Sequence, residues 1–530
     1  REEGAKREKE FFSCFRLPPA QYSPLHCTSA TGTMRGSGVC CVAAARRVLF
    51  AVFVCAMTTG SRGGLSDHEP KMEKEGLNDS RGIISRQIGD AGHVSTVLHL
   101  ATEKWDKMDH SNFIAAVLRM ANMHSKQSIN KKLKKEVAAF IDKGFPMIEK
   151  FRPQHIADIL WSCNSLGIQP KKNMVMALEE QALSRMGDFK AQDLAVYLWS
   201  LASLRVHPSK ALQQGWYEEA MDKMDDFSGE NLANTLWSMA MLDLPRDTNL
   251  FGMIGDQAVV RMDEFTPQQI DNVMWALASM KQKPDVEFLE SLMGQVISKV
   301  DNFSPQNTAN VFWGLATLGI HPERTVTVGP AMVQSLFEQA VLRMGDFQAQ
   351  DVAVLGWALG TLNTYPSGEL LHVLSQRAVQ TYREMSGENV ANLCWFVGNL
   401  RVTVQPEFFD AMCKQAVKMI DHMHPHNIAN MWWAFGRSGY RPPNDFTAAA
   451  SRHVMQGIDR YRPESMANVM SGMAAVEVNP GDKFLAVLTQ AAIMRQHEFS
   501  RNNARDVLGF FEKMRISPHP ELLDNLGKRI

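Results

Sequence analysis

A 38-residue repeat is the feature that most constrains the fold of this 530-residue chain. Stretches similar to "FSPQNTANVFWGLATLGIHP" at residues 303–322 recur, each beginning at an apolar residue that we call the anchor. The anchors are Phe151, Phe189, Phe227, Phe265, Phe303, Phe347, Met385, Met423, Tyr461 and Phe499. Successive anchors are 38 residues apart, except where six extra residues within "ERTVTVGPAMVQ" lengthen one interval to 44. A fixed period of this length is typical of solenoid proteins, whose units bury apolar surface against their neighbours.

Each unit carries the signals of two helices. Thr266 and Ser304 follow their anchors as candidate N-caps, and Pro305 occupies a first helical position. Gln269 completes a capping box with Thr266. A Pro nineteen residues after most anchors is expected to end this helix, and apolar residues recur with helical spacing in the rest of the unit. The sequence therefore predicts an all-α fold, a right-handed α-solenoid of about ten to eleven helix-turn-helix repeats.

A degenerate unit is expected before these ten. In "MDHSNFIAAVLRMANM", Met108 stands at the anchor position and Leu118 stands where later units have Trp. We therefore predict five parts of the chain: an untranslated or disordered leader at 1–33, a targeting segment at 34–60, a linker at 61–95, the degenerate first repeat with a basic helix at 96–145, and the repeat array at 146–530.

The targeting segment combines features of two import signals. Arg46 and Arg47 precede an apolar stretch of about ten residues, which is too short to span a bilayer and has the length of a signal-peptide core. No acidic residue stands between Met34 and Asp67, as in transit peptides. We predict import into an organelle, with a plastid as first choice and a mitochondrion as second, and no membrane contact in the mature form. The alternative is a disordered tail with accidental hydrophobicity.

A Trp stands ten residues after the anchor in eight of the ten units, and Ser471 and Gly509 replace it in the other two. The eight are Trp161, Trp199, Trp237, Trp275, Trp313, Trp357, Trp395 and Trp433. Small residues usually stand four positions before and three positions after it, which places all three on one helical face. We interpret the Trp as core, packed where helices approach closely. The alternative is a platform that stacks on a ligand.

A varied polar position is the best candidate for recognition. Four residues after the anchor, in the first turn of a helix, stand His155, Asp193, Asn231, Gln269, Asn307, Asp351, Asn389, Asn427, Ser465 and Asn503. Side chains with different donors and acceptors at equivalent positions can recognise RNA one base at a time. We therefore predict this set, the recognition row, as a base-recognising site. The alternative is that these residues cap helix N–H groups.

A second polar position is nearly uniform. Three residues further along stand Asn234, Asn272, Asn310, Asn392, Asn430 and Asn468, with Asp158 and Asp506 in two other units. A uniform residue carries little sequence information, so we interpret this position as bracing between neighbouring helices or loops.

A basic position precedes the anchor by four residues in five consecutive units. The basic row consists of Arg185, Lys223, Arg261, Lys299 and Arg343. These cations are weak candidates for contacts to an RNA backbone. An acidic residue follows three positions later in four of the five units, so salt bridges near a helix C-terminus are the favoured alternative.

Charge argues against binding driven by counterion release alone. The chain has a net charge of −1, and residues 151–530 hold 33 Lys and Arg against 41 Asp and Glu. Within the array, residues 401–530 hold 16 basic and 13 acidic residues, so phosphate contacts are expected there. The stretch "KQSINKKLKKEVAAFIDK" adds a basic helix before the first full unit. Any RNA binding is therefore expected to depend on specific contacts, with a shallow dependence on salt.

No motif for catalysis is found. The sequence has no Walker loop, no zinc-protease or nucleophile-elbow motif and no paired Cys ligands. His422, His424 and His426 stand together in "DHMHPH", but Pro425 marks a helix start there, so we interpret them as a surface loop. The sequence therefore predicts no enzymatic activity, no metal and no cofactor.

The units resemble the octotricopeptide repeat family, the 38-residue helical hairpins of organelle gene-expression factors. The resemblance rests on the period, the anchor, Pro-Gln and the Trp in "FRPQHIADILWSCNSLGIQP" and "FTPQQIDNVMWALASMKQKP", and it covers about residues 146–530. Related arrays occur in RAP-domain and FAST-kinase-like proteins, although no RAP-like segment is recognised here. The resemblance implies binding of single-stranded organellar RNA, with RNA-processing or ribosomal proteins as further partners. The alternative is a protein–protein scaffold in an organellar ribosome or assembly complex.

Overall fold

The computed structural model describes residues 80–124, 129–245 and 247–529, with side chains from residue 82 onward. The predicted leader and targeting segment lie outside these residues. The described part is helical and contains no strand, which confirms the all-α prediction. None of its helices is both long enough and apolar enough to cross a bilayer.

Two sets of helices alternate along the chain. The A helices, which from α5 onward begin two residues after an anchor, are α1 (Ser80–Asp90), α3 (His110–His124), α5 (Pro153–Ser165), α7 (Ala191–Ser203), α9 (Gly229–Met241), α11 (Pro267–Met280), α13 (Pro305–Leu318), α16 (Ala349–Leu362), α18 (Gly387–Leu400), α20 (Pro425–Ser438), α22 (Pro463–Ala475) and α24 (Arg501–Lys513). The B helices are α2 (Val94–Glu103), α4 (Lys131–Lys143), α6 (Lys172–Ser184), α8 (Lys210–Asp222), α10 (Thr248–Val260), α12 (Val286–Ser298), α15 (Gly329–Arg343), α17 (Gly368–Thr381), α19 (Pro406–Met419), α21 (Asn444–Gln456), α23 (Asp482–Met494) and α25 (Pro520–Gly527).

A short 3₁₀ turn leads from each B helix to the next anchor. The unit at Phe303 shows the arrangement: the turn Val300–Asn302 is followed by the buried, extended anchor and then by Ser304 as N-cap. The Ser304 hydroxyl accepts the Asn307 N–H at 3.2 Å, and Pro305 opens α13 as predicted. The other 3₁₀ turns are Trp105–Lys107, Phe145–Lys150, Met186–Asp188, Met224–Asp226, Met262–Glu264, Met344–Asp346, Tyr382–Glu384, Ile420–His422, Ile458–Arg460 and Gln496–Glu498.

The A helices end before the Pro that was expected to stop them. Helix α13 closes at Gly319, which has φ 62°, and the Ile320 N–H donates to the Leu315 carbonyl at 2.9 Å. This left-handed C-cap satisfies the last carbonyls of the helix, so the helix has already ended when the chain reaches Pro322. Pro322 instead begins α14 (Pro322–Thr325), a short additional helix that takes up the six-residue insertion.

Successive units stack in register. Each A helix packs on the next A helix, and the B helices pack on one another in the same order from α2 to α4 and from α6 onward, so one core runs between the two layers. The structure is therefore an α-solenoid, as predicted. Trp237, Trp275, Trp313 and Trp357 are buried in this core. The other four repeat tryptophans are only half-buried, so the core interpretation holds fully for the central units alone.

The degenerate unit has the same organisation as the later ones. Met108 is buried and follows the turn Trp105–Lys107, and α3 and α4 form its hairpin. A further hairpin precedes it, because α1 packs on α3 and α2 packs on α4. Helix α1 lies within the segment 61–95, for which the sequence suggested only a linker.

Candidate nucleic-acid interface

The recognition row lies in the first turns of the A helices and caps them. In six units its side chain accepts the backbone N–H of the residue three positions earlier, which is the N-cap residue. The clearest examples are Gln269 Oε1, 2.8 Å from the Thr266 nitrogen, and Asp351 Oδ2, 2.9 Å from the Gln348 nitrogen. The six residues are His155, Asp193, Asn231, Gln269, Asn307 and Asp351. These acceptor atoms satisfy helix N–H groups in the structure.

The other four members of the row are placed differently. The Asn389 amide donates to Gln350 Oε1 at 2.9 Å, and the Asn427 backbone N–H donates to the His424 carbonyl. Ser465 is buried, and the Asn503 backbone N–H donates to the Ser500 hydroxyl. Of the ten side chains, only those of Asp193, Gln269, Asp351 and Asn503 are half-buried and the rest are buried. Recognition of bases by this row therefore stays a prediction, and it would require these capping bonds to be shared or opened.

A buried carboxylate connects two neighbouring A helices. Asp271 occupies the position where most units have Ala, and its side chain is fully buried. Its Oδ2 accepts the amides of Asn307 at 3.1 Å and Asn310 at 3.2 Å, both on the following A helix. Burial is the largest effect and raises the pKa of Asp271 to about 7, although these hydrogen bonds oppose it. Asn310 therefore braces two repeats, as predicted for its position.

Burial also controls the ionisation of Asp158, at the second polar position, and of Asp351 and His155 in the recognition row. It raises the pKa of Asp158 to about 7, with a further contribution from the Asp193 charge, and it raises that of Asp351 to about 6. The pKa of His155 falls to about 4, chiefly because the ring is buried. In each case the neutral form is favoured. Near neutral pH His155 is therefore uncharged, whereas Asp351 keeps most of its negative charge.

The basic row binds the backbone that leads into the A helix of its own hairpin. Lys299 Nζ donates to the carbonyls of Asp263 and Phe265, both at 2.8 Å, where the chain enters the A helix of the same hairpin. Arg343 combines an ion pair to Asp346 at 3.2 Å with a bond from its Nη1 to the Phe303 carbonyl at 2.7 Å. These bonds explain why basic residues recur at this position.

Other members of the basic row are used in a similar way. Lys223 donates to the Gly187 and Phe189 carbonyls, and Arg261 pairs with Glu264 and reaches the Asp225 carbonyl. Arg185 makes no such bond with a described residue. The predicted salt bridge near the helix C-terminus is thus present at Arg261 and Arg343, where it accompanies a bond to the backbone that precedes the A helix of the same hairpin.

A Gln position that the sequence analysis missed makes the same kind of contact. Eight residues before the anchor, the Gln amide donates to the carbonyl of the previous anchor, as in Gln295 to Phe265 at 3.2 Å and Gln415 to Met385 at 2.8 Å. Gln181 and Gln257 do the same. The signal was present, because Gln recurs at this position while most B-helix positions vary.

The exposed side of the A helices carries a polar and aromatic stripe, which we call the A-face stripe. It comprises the residues three, seven, ten and fourteen positions after each anchor, for example His426, Asn430, Trp433 and Arg437. Three of these four are half-buried or exposed, and Asn430 is buried. The stripe is most open towards the two ends of the array, where Trp161, Trp199, Trp395 and Trp433 are half-buried.

The histidine cluster does not form a recognisable metal site. The rings of His424 and His426 stack with centroids 5.6 Å apart. His426 is at the start of α20, where burial lowers its pKa to about 4. In the described residues no three potential ligands come together as a metal site would need.

Fold and surface define an α-solenoid repeat protein whose A helices present a polar and aromatic stripe. Residues 82–323 match the family model "RNA-editing substrate-binding complex 6 protein". Residues 254–440 match the model "Tbc2 translation factor, N-terminal domain". Neither match covers half of the chain, and neither model is named for the octotricopeptide repeat or the RAP domain. The closer resemblance to those two families therefore stays a prediction.

The comparisons with curated proteins and with solved structures say less about function. No curated protein matches the chain. Among solved structures 35 chains match, including one described as "Homology model of the full-length AP-3 complex in an intermediate open conformation". It is 9% identical, with 92% of this chain and 99% of that chain covered and a TM-score of 0.22. A score this low supports no functional argument.

Proposed function

We propose that this protein is an organellar factor that binds single-stranded RNA along its A helices and assists transcript stability, processing or translation. The observation that carries the proposal is the A-face stripe, which offers polar groups and half-buried tryptophans at equivalent positions of successive repeats. Bases of a single strand stack on such aromatic rings and bond to such polar groups. One base per full unit would give a footprint on the order of ten nucleotides.

The family comparisons support the same proposal. One matching model is named for an RNA-editing complex and the other for a translation factor, and together they span residues 82–440. Both names concern RNA. A role as an adaptor without catalysis fits a chain in which no catalytic motif was found.

Crosslinking with sequencing of the bound RNA tests this function directly. The full chain with an affinity tag is crosslinked in cells, and the tag alone serves as control. We expect one or a few organellar transcripts to be enriched over the control at short, reproducible positions. Recovery of proteins with no enriched transcript would contradict the proposal.

The organelle is tested separately. We propose a plastid first and a mitochondrion second, because of the apolar segment after Arg47 and the absence of acidic residues between Met34 and Asp67. A fluorescent protein fused after Ile530 should accumulate in the plastid. Mitochondrial signal would correct the organelle, and diffuse cytosolic signal would contradict import.

A protein scaffold is the second candidate, and one observation favours it. Val260, Leu342 and Met494 occupy the same position near the ends of three B helices, and each is between 68% and 80% exposed. Exposed apolar side chains can mark contacts with other proteins. This surface belongs to the B helices, so a protein bound there would leave the A-face stripe open.

A further inference from the structure

Two arginines meet where neighbouring A helices end. Arg401 is the C-cap of α18, and Arg437 lies in the last turn of α20. The two helices pack against each other, and the residues are placed two positions apart in the repeat frame. Burial, and next to it the Arg401 guanidinium, lowers the pKa of Arg437, as expected for like charges held close together.

An aromatic surface lies beside these charges. The Arg437 guanidinium carbon is 5.3 Å from the centroid of the Trp433 ring, within cation–π range. Trp433 is half-buried, as is Trp395 at the equivalent position of α18. Trp395 lies against Gly360 of the preceding A helix, where a Cβ would come within 2.7 Å of the ring. The two indoles are thus held in place while part of each remains accessible.

The arginines at this edge have no acidic partners. Arg401 and Arg437 are exposed, and neither forms an ion pair or hydrogen bond with a described residue. At the opposite edge of the same solenoid, Lys299 and Arg343 are bonded to carbonyl or carboxylate groups. The charges beside Trp433 are therefore available to an anion, and an anion would relieve their mutual repulsion.

The backbone does not explain the Arg at position 401. Arg401 has φ 52°, a left-handed conformation that Gly adopts without steric conflict and that disfavours other residues. Gly167, Gly319 and Gly439 occupy the equivalent position in other units. Arg205, Lys281 and Arg515 occupy it in three more, and Asp243, Asn363 and Glu477 occupy it in the others, so the position is not uniformly basic and the conformation does not require an Arg.

We propose that Arg401 and Arg437, together with Trp395 and Trp433, form the site that anchors single-stranded RNA to the array. The two indoles stack on neighbouring bases, and the guanidinium groups bind the phosphates between them. This Arg-Trp patch specifies the proposed RNA-binding function and depends on it. It lies in the part of the array whose sequence has more basic than acidic residues.

Fluorescence anisotropy with the full chain tests the patch. The probe is a labelled, randomised single-stranded RNA of about twenty nucleotides, long enough for the expected footprint. Trp433→Ala should weaken binding at least about five-fold, because stacking on one aromatic ring contributes that much or more. Arg437→Glu should weaken binding and should also reduce the slope of log K against log salt by about 0.7 for each lost phosphate contact.

Arg401→Gly separates binding from folding. Gly suits the left-handed backbone there, so this variant should melt at the wild-type temperature or above while binding RNA more weakly. Lys414→Glu is the matched control, because Lys414 is exposed on α19 of the same unit and makes no bond to a described residue. It should bind like the wild type.

The outcomes are distinguishable. If the wild type binds the RNA pool and Arg401→Gly, Arg437→Glu and Trp433→Ala bind equally well, the patch is not the anchor although the proposed function stands. If the wild type binds neither the pool nor the transcript sites recovered by crosslinking, the proposed function fails and the patch fails with it. If ultraviolet light crosslinks Trp433 in cells to another protein rather than to RNA, the patch is a protein contact and the inference is overturned.

Discussion

Trp432 and Trp433 are neighbours in α20 and lie in opposite environments. The Trp432 ring is fully buried, with Phe446 and Phe435 at centroid distances of 5.7 and 6.1 Å. The Trp433 ring is half-buried and lies beneath the Arg437 guanidinium. Trp433 stands ten residues after its anchor, as the repeat tryptophans do. In this unit, however, the neighbouring Trp432 fills the core.

This pair gives a direct prediction about stability. Trp432→Ala should lower the free energy of unfolding by about 3–5 kcal/mol, because it removes a large buried ring and leaves a cavity. Trp433→Ala should lower it by about 1 kcal/mol or less, as for a partly exposed side chain. Urea denaturation followed by circular dichroism measures both. Equal losses in the two variants would contradict the assignment of their environments.

Asp271 should make stability depend on pH. Its pKa is about 7 in the folded protein and 3.8 as the ordinary value, so the folded state keeps a proton that the unfolded state releases. The carboxyl group therefore stabilises the fold fully below pH 4, and this contribution is lost as the pH rises towards 7. Asp271→Asn keeps an oxygen for the Asn307 and Asn310 amides and does not titrate. At pH 8 it should be more stable than the wild type by about 2–4 kcal/mol.

The comparison for Asp271 is made with urea denaturation at pH 4.5 and pH 8. Asp256→Asn is the control, because Asp256 is exposed on α10. Asp256→Asn should leave the difference in free energy of unfolding between pH 4.5 and pH 8 as it is in the wild type. If the difference in free energy of unfolding between the wild type and Asp271→Asn is the same at both pH values, ionisation of the buried carboxyl group does not destabilise the fold.

The basic row is predicted to act in structure rather than in RNA binding. Lys299→Met removes both bonds from the ammonium group to the Asp263 and Phe265 carbonyls and should destabilise the array by about 1–3 kcal/mol. RNA affinity and its salt slope should stay within about two-fold of the wild type in anisotropy titrations. Lys414→Met, at an exposed position, should change stability by less than about 0.5 kcal/mol. A reduced salt slope for Lys299→Met would instead support its role in contacting the RNA backbone.

Two glycines of the last units should respond oppositely to alanine. A Cβ on Gly472 would lie 2.1 Å from the Trp432 carbonyl oxygen, so α20 and α22 would have to separate. Gly472→Ala should therefore cost about 1–3 kcal/mol or more. A Cβ on Gly509 meets no atom within 4 Å, so Gly509→Ala should stabilise α24 by about 0.5–1 kcal/mol through helix propensity. Melting temperatures that shift in the same direction for both variants would contradict this.

Much of the fold could be predicted because the same helix signals recur in successive repeats of the sequence. The N-caps at Thr266 and Ser304, the capping box with Gln269 and the Pro at the first helical position are all present as expected. The ends of the A helices were predicted less well. The left-handed residue that ends the A helices is Gly in only a few units, so the sequence shows it weakly. The Pro three residues later recurs in most units and therefore suggests a helix end at the wrong residue.

The candidate site was harder to predict, because the sequence gives position in a repeat but not exposure. The half-buried Trp433 and the buried Trp313 share the same place in the frame and similar neighbours, yet they differ in how closely the flanking helices cover them. The recognition row presented a similar difficulty, since a polar residue in a first turn suits a cap and a base contact equally well. Only the hydrogen bonds distinguish the roles of these residues in the structure.

Bonds that reach back from several B helices to the end of the preceding unit give the array a direction. The Asp263 carbonyl, just before the anchor Phe265, is satisfied by Gln295 and Lys299, residues that are synthesised some thirty positions later. A unit therefore has open backbone acceptors until the following unit has folded onto it, and removal of a C-terminal unit uncovers acceptors that removal of an N-terminal unit does not. During synthesis, each newly emerging hairpin completes the one before it, so the solenoid matures from its N-terminal end.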